Sequence, residues 1–306
     1  MAGVGYTAAM QQNILCSVHD LAKQLGYVEG SGGDTATGKV VVLCASMGNP
    51  AKHQAMIPGA LLCDIDDDFS RHDGGVHTAP SVTQLRRLFA ARGVSPSTPV
   101  VIYDRHGMMV APRVFWLARV AGYQQVQLLD GGLPAWLEAG LPTVTTFAHP
   151  VDEQTAQELF AAAEQELAAR VDLLVDIDEV EQALSDDQVQ VIDARSRGRF
   201  TGEDPEPRPG MESGHMPGSW NIAFQTVFPQ GRFVGIPATL ALLEGAGDID
   251  DRKIFSCGSG VTACVVAVAA LVAGARNVTV FDGSWSQWAT EGKPIATGDD
   301  GTLSLS

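Results

Sequence analysis

An α/β fold, built as two tandem domains that each hold a mostly parallel sheet flanked by helices, follows from three observations on this 306-residue chain. Strand-like and helix-like segments alternate, which is the order that parallel sheets with right-handed crossovers require. Several strand candidates are continuous apolar runs, such as Val40-Val41-Val42-Leu43 and Val100-Val101-Ile102-Tyr103, and these suit strands covered on both faces. The series also recurs. Asp104 and Cys257 lie 153 positions apart, Asp130 and Asp282 lie 152 apart, and each pair closes a matching strand.

The elements follow in order. A helix is expected over 13–25, with Val18, Leu21, Ala22 and Leu25 on its apolar face. A Gly/Ser/Thr loop over 30–38 leads to a strand at 39–43. The turn Ile57-Pro58-Gly59-Ala60 precedes a strand at 61–65 that runs into Asp64, Asp66, Asp67 and Asp68. A helix at 81–92, a strand at 99–104, a helix at 111–121 and a strand at 126–130 complete the first sheet. The turn Gly131-Gly132 and a helix at 134–139 follow. The pattern lapses from 143 to about 158. Residues 1–148 are therefore assigned to the first domain, 149–165 to a linker and 166–306 to the second domain. The second series has strands at 189–193, 253–256 and 278–282, a charged Pro/Gly-rich loop at 198–213, the turn His215-Met216-Pro217-Gly218-Ser219 and a strand or bend at 221–224. Its helices are expected at 238–246 and 261–273, with a turn and helix over 283–290.

Composition narrows the function classes. Hydrophobic residues make up 45% of the chain, which is the content of an ordered globular protein. Twenty basic against 36 acidic residues give a net charge of −16 and no basic cluster, which argues against nucleic acid and anionic membranes as partners. The longest apolar run, 261–275, is too short to span a bilayer and reads as a buried helix. The first residues lack a secretory signal. Five cysteines without metal-type spacing (Cys16, Cys44, Cys63, Cys257, Cys264) suit reduced thiols, no metal and a cytoplasmic location.

The most informative stretch is Cys257-Gly258-Ser259-Gly260-Val261-Thr262, between a strand end and an apolar helix. Gly258 and Gly260 permit the positive φ values of a cradle-shaped loop. The loop amides and the helix N-terminus present positive partial charge, which stabilises an anionic sulfur. The alternative is a cysteine acting as a small buried hydrophobe. The duplication favours a nucleophile. The first copy has Asp104 in place of the cysteine and Arg105-His106-Gly107-Met108-Met109 in place of the glycine-rich loop, so it reads as the catalytically inactive copy.

Over nearly the whole chain these residues resemble the tandem rhodanese-domain sulfurtransferases. The resemblance rests on the Cys257 loop, Asp193-Ala194-Arg195-Ser196-Arg197-Gly198-Arg199-Phe200, Gly202-Glu203-Asp204-Pro205-Glu206-Pro207-Arg208, Gly214-His215-Met216-Pro217-Gly218 and Asp282-Gly283-Ser284-Trp285. The loop is similar to that of the members using 3-mercaptopyruvate. Thiosulfate-using members typically carry basic residues at the positions of Gly258 and Ser259. The resemblance implies that Cys257 forms a persulfide, with Gly258, Gly260, Val261 and Thr262 lining the substrate cradle and no cofactor. Arg199 and Arg208 match the positions that hold the donor's carboxylate and carbonyl. Ser259, His77 and Asp66 would form a proton relay, the last two from the first domain, which places the expected site at a domain interface. Cys44 and Met56 depart from the family pattern, at positions where Asp and His are common.

The residues themselves suit that chemistry. A monoanionic thiol donor matches planar arginine recognition and a neutral Gly-Ser loop start. Its leaving enolate needs a proton, which the Ser259 hydroxyl can supply. The acceptor can be a small thiol, a thioredoxin-like dithiol or cyanide. Structural readings stand beside these roles. Arg199 and Arg208 can instead pair with Glu203, Asp204 or Glu206, the weight of that alternative being greater for Arg208. His77, on sequence alone, reads as an exposed loop histidine, with His72 and Asp73 nearby. Thiosulfate:cyanide sulfur transfer is the nearest rival. A sulfur-carrier or thiol-sensing module is a non-enzymatic one. A phosphatase needs an arginine where the chain has Ala263.

Overall fold

The computed structural model describes residues 14–27, 40–50, 54–72 and 75–303. The expected loop at 30–38, the first residues of the chain and Asp73 lie outside these. The chain packs as two compact units. One comprises the described residues of Asn13–Arg71 and Ala79–Val171. The other comprises those of His72–Thr78 and Asp172–Ser306.

In the first unit, β1 (Leu15–Cys16), β2 (Val41–Ser46), β3 (Leu61–Asp64), β4 (Val100–Asp104) and β5 (Val126–Leu129) form a five-stranded parallel sheet in the order β1-β5-β4-β2-β3. The helices are α1 (Val18–Gln24), α2 (Val82–Ala91), α3 (Ala111–Ala121), α4 (Gly132–Glu138) and α5 (Glu153–Glu166). The segment expected as one helix over 13–25 is split. Leu15 and Cys16 pair with Leu128 and Leu129, and the helix starts only after Ser17, whose side chain caps the Asp20 amide. Local signals set other ends. Ser81 and Gln84 form a reciprocal capping box on α2, a device worth about 1 kcal/mol. Pro112 opens α3, and Gly122, at φ +104°, closes it.

Residues 149–165, expected as a linker, hold most of α5. Asp152 caps this helix. The Arg87 guanidinium lies 4.5 Å from the Phe160 ring centre, Arg86 pairs with Glu164, and the Arg86 side chain also donates to the Leu167 carbonyl. The segment is thus part of the first unit's packing.

The second unit repeats the plan. Its strands are β6 (Leu174–Val175), β7 (Val189–Asp193), β8 (Trp220–Asn221), β9 (Arg252–Ser256) and β10 (Val278–Phe281), parallel in the order β6-β10-β9-β7-β8. Its helices are α6 (Ile177–Ala183), α7 (Arg197–Thr201), α8 (Phe224–Val227), α9 (Ile236–Ala246), α10 (Ala263–Ala273) and α11 (Ser284–Thr290). The stretch expected as an open loop from 198 begins inside α7. The registers make the two copies comparable residue by residue. Ile102 pairs with Leu43 and Leu128, and Phe255 pairs with Ile192 and Val280. This alignment sets Asp104 opposite Cys257, each two positions past the matched residues Ile102 and Phe255.

The apolar run that suggested a buried helix is α10, buried along almost its whole length. Among the described residues no helix is long and apolar enough to cross a membrane.

Candidate active site at the end of β9

Strand β9 ends at Ser256, and the chain turns sharply through residues 257–262 before α10 begins at Ala263. Cys257 is buried at 2% exposure, at the carboxyl end of a parallel sheet, where α/β folds place ligands. The 11-residue helix behind the loop adds a partial positive charge at its N-terminus. Burial pushes the thiols of Cys16, Cys44 and Cys63 up to about 11, 12 and 12, which leaves them neutral. All five cysteines are thiols and buried. Cys264 donates to the Gly260 carbonyl at 3.2 Å from inside the helix.

The two loop glycines serve different ends. Gly260 takes φ +76°, as expected for a cradle. Gly258 is not a left-handed residue. It is small because a Cβ there would lie 2.9 Å from Nη2 of Arg199, which crosses the loop at that point.

Arg199 is held there by a chain of buried charges. Arg195, essentially unexposed, donates to both oxygens of Asp193 and to Glu206 at 2.8 Å, and its guanidinium lies 4.4 Å from the Trp285 ring centre. Glu206 in turn accepts from Arg199 Nε at 3.0 Å and Nη2 at 2.6 Å. Burial pushes the Glu206 carboxyl up, but the Arg199 hydrogen bonds and the charges of Arg195 and Arg199 outweigh it and hold the group below its ordinary range. The structural ion pair weighed more heavily for Arg208 in the sequence therefore belongs to Arg199. Arg208 has no carboxylate partner among the described residues. Its Nη1 donates to Ser286 Oγ at 2.8 Å, and that hydroxyl donates to the Gly258 carbonyl.

Ser259 Oγ lies 2.9 Å from His77 Nδ1. The expectation of an exposed loop histidine is overturned. The described residues of His72–Thr78 pack with the second unit, so His77 reaches Ser259 inside one compact body. Asp66 belongs to the first unit, where its carboxylate accepts the Gly48 amide and its own amide donates to Asp64. His77 and Ser284, with Gln230, are the described non-glycine residues at positive φ, at +59°, +50° and +54°. Each such backbone costs about 1 kcal/mol or more, and strain of this kind gathers at working sites.

Sequence reasoning passed over Ser284. Its hydroxyl accepts the amides of Cys257 and Gly260 at 3.1 and 3.0 Å and donates to the Phe281 carbonyl. The next residues of α11 hold the loop from the same side: Trp285 and Ser286 amides donate to the Cys257 and Gly258 carbonyls. The motif Asp282-Gly283-Ser284-Trp285 was visible, but a positive φ on a serine leaves no sequence signal. Glu206 was visible only as one of several loop acids. Asp193 orders the arginine-bearing loop, as expected. His215 braces its turn, bonded to the Phe200 carbonyl and stacked on that ring. Among the described residues no three His, Cys, Asp or Glu side chains are grouped to hold a metal.

The first unit shows what this kind of loop does with an anion. Asp104, fully buried, accepts the His106 amide on one carboxylate oxygen and those of Met109, Val110 and Ala111 on the other, all at 2.7–2.9 Å. The loop is one residue longer than its counterpart and is closed around its own carboxylate.

A family model for the rhodanese-like domain matches residues 49–139 and 176–291. The human 3-mercaptopyruvate sulfurtransferase is 36% identical over 242 residues, covering 78% of each chain. The thiosulfate sulfurtransferase of Cricetulus griseus is 33% identical over 265 residues, covering 83% of this chain and 86% of that one. Among solved structures, the Escherichia coli 3-mercaptopyruvate sulfotransferase SseA matches with a TM-score of 0.72 and 27% identity over 89% of this chain and 99% of that one. With both halves matched by one domain model and more than a third of the aligned residues identical to a relative that covers 78% of the chain, the chain belongs to the tandem rhodanese-domain sulfurtransferase family.

Proposed function

We propose that the chain moves sulfur from 3-mercaptopyruvate to a thiol or cyanide through a persulfide on Cys257. The observation that carries this reading is the Ser259–His77 hydrogen bond, which puts a proton-handling pair two residues from the candidate nucleophile. In the first half-reaction the Cys257 thiolate attacks the donor's sulfur. The C–S bond breaks, its electron pair goes to the pyruvate enolate, and Cys257 holds the sulfur as a persulfide. The enolate takes a proton delivered through Ser259 from His77 and leaves as pyruvate. In the second, an acceptor thiol attacks the outer sulfur, becomes a persulfide itself and releases the Cys257 thiolate; cyanide leaves as thiocyanate. Each half-reaction is a displacement at sulfur, as in covalent ping-pong catalysis.

The donor's single carboxylate and ketone suit Arg208 and Arg199. The loop start is neutral because Gly258 has no side chain, which favours a monoanion over the thiosulfate dianion. The carboxylate cradled by Asp104's loop supports an anionic outer sulfur in the loop of residues 258–262.

The test compares kcat/KM for 3-mercaptopyruvate and thiosulfate side by side, with intact mass after donor exposure. The expected result is pyruvate release and a gain of about 32 Da, one sulfur atom on the nucleophile, both lost in Cys257→Ala. Higher kcat/KM with thiosulfate gives the assignment to thiosulfate:cyanide transfer. Turnover surviving in Cys257→Ala removes the mechanism.

A further inference from the structure

We infer that Ser284 is a positioning residue for the Cys257 loop, doing for the second unit what the Asp104 carboxylate does for the first. The inference rests on the reading of Cys257 as the sulfur carrier. Ser284 is fully buried, and its hydroxyl is saturated: it accepts from Cys257 N and Gly260 N and donates to the Phe281 carbonyl at 2.8 Å. It therefore touches no substrate and has no proton to give. What it determines is which loop amides are already engaged. With Cys257 and Gly260 tied back to its oxygen, those of Gly258, Ser259, Val261, Thr262 and Ala263 are the set left to meet an anionic sulfur.

The duplicate explains why the residue is a serine in a backbone shape that favours glycine. Its counterpart two positions past Asp130 is Gly132, at φ +52°. A Cβ on Gly132 would lie 2.5 Å from the Gly107 carbonyl oxygen and 2.6 Å from that of Asp104, so no side chain fits there. That loop is organised from within, by four amide bonds to Asp104. Exchanging the carboxylate for a thiol removes those four bonds. The second unit replaces them with a hydroxyl behind the loop, and the left-handed serine is the cost of placing it there.

The test is Ser284→Gly, which suits the local backbone and removes the hydroxyl together with its Cβ, read beside Ser284→Ala, which removes the hydroxyl alone. Persulfide is loaded with inorganic polysulfide, so this readout does not depend on the donor's identity. We expect kcat to fall about tenfold or more with KM within about twofold, and the persulfide half-life without acceptor to shorten about fivefold, as for loss of preorganised donors. A folded variant with unaltered kcat and persulfide lifetime overturns the inference and leaves the Cys257 mechanism standing. An unaltered chain that takes up no sulfur on Cys257 overturns both. Amide exchange in the unaltered chain reads the same point without a variant. The Cys257 and Gly260 amides should be protected throughout, and those of Ser259 and Val261 should gain protection on persulfide loading. Equal exchange across residues 257–262 in both states overturns the inference.

Discussion

Arg199 and Glu206 meet side on, Nε and Nη2 of the guanidinium each on a separate carboxylate oxygen, with the glutamate buried and the arginine partly open. The same carboxylate holds Arg195, so Glu206 compensates two arginines. Glu206→Gln should destabilise the protein by about 3 kcal/mol, because the buried Arg195 and the half-buried Arg199 both lose a charge partner. Its folded-state pKa is held below the ordinary glutamate range, so its contribution is present at neutral pH and lost as pH falls through the folded value. The acid limb of thermal stability against pH should therefore be shallower in Glu206→Gln than in the parent. Parallel limbs would deny Glu206 this role.

Arg208 and Arg199 should separate in steady-state kinetics. Arg208 keeps its charge for a ligand, its partner being the neutral Ser286 hydroxyl. Arg208→Ala is expected to raise the KM for 3-mercaptopyruvate about tenfold or more with a smaller effect on kcat, and Lys to recover it in part. Arg199→Ala is expected to lower the melting temperature as well, because it strips one partner from Glu206. A larger KM effect at Arg199 with unaltered stability would reverse this ranking.

Removing either member of the Ser259–His77 pair should slow pyruvate formation more than sulfur handover. Ser259→Ala and His77→Ala are each expected to reduce kcat about a hundredfold, the usual scale for a lost proton donor. Combined in one chain, they should cost little more than either alone, as for groups acting as a unit. Additive losses in the double variant would mean two independent roles.

In the first unit, Asp104→Ala leaves four loop amides without their acceptor. Urea unfolding should show a loss of about 3 kcal/mol or more, with Asp104→Asn intermediate. Sulfur transfer by Cys257 should continue where the variant remains folded. Loss of the persulfide in a folded Asp104→Ala chain would show that the first unit contributes to the chemistry.

The sequence was most readable where local signals and burial agreed. Helix α3 occupies the residues expected, because Pro112 and Gly122 mark its ends and its side chains are buried all round. The parallel sheets were legible from apolar runs, but β1, β6 and β8 are two residues each, too short for any periodicity. Helix α5 was missed because it offers the core little beyond Ala163 and is held instead by Arg86 and Arg87 of α2. At the site, Cys257 was evident from its glycines. The partnership of Ser259 with His77 came only from family likeness. The charge chain Asp193–Arg195–Glu206–Arg199 depends on which of several acids folding brings to which arginine, and no local pattern records that.

The seating of Arg199 on Gly258 also bears on how donor preference can evolve. A Cβ at 258 would lie 2.9 Å from Nη2 of Arg199, so a side chain there must shift a guanidinium that Glu206 holds by two hydrogen bonds. A basic residue there also sets a second positive charge against that guanidinium, which adds a repulsion to the shift. A lineage that exchanges donors by filling position 258 is then expected to adjust the Arg199–Glu206 pair as well. Ancestral reconstructions between the two donor classes should show these positions changing together.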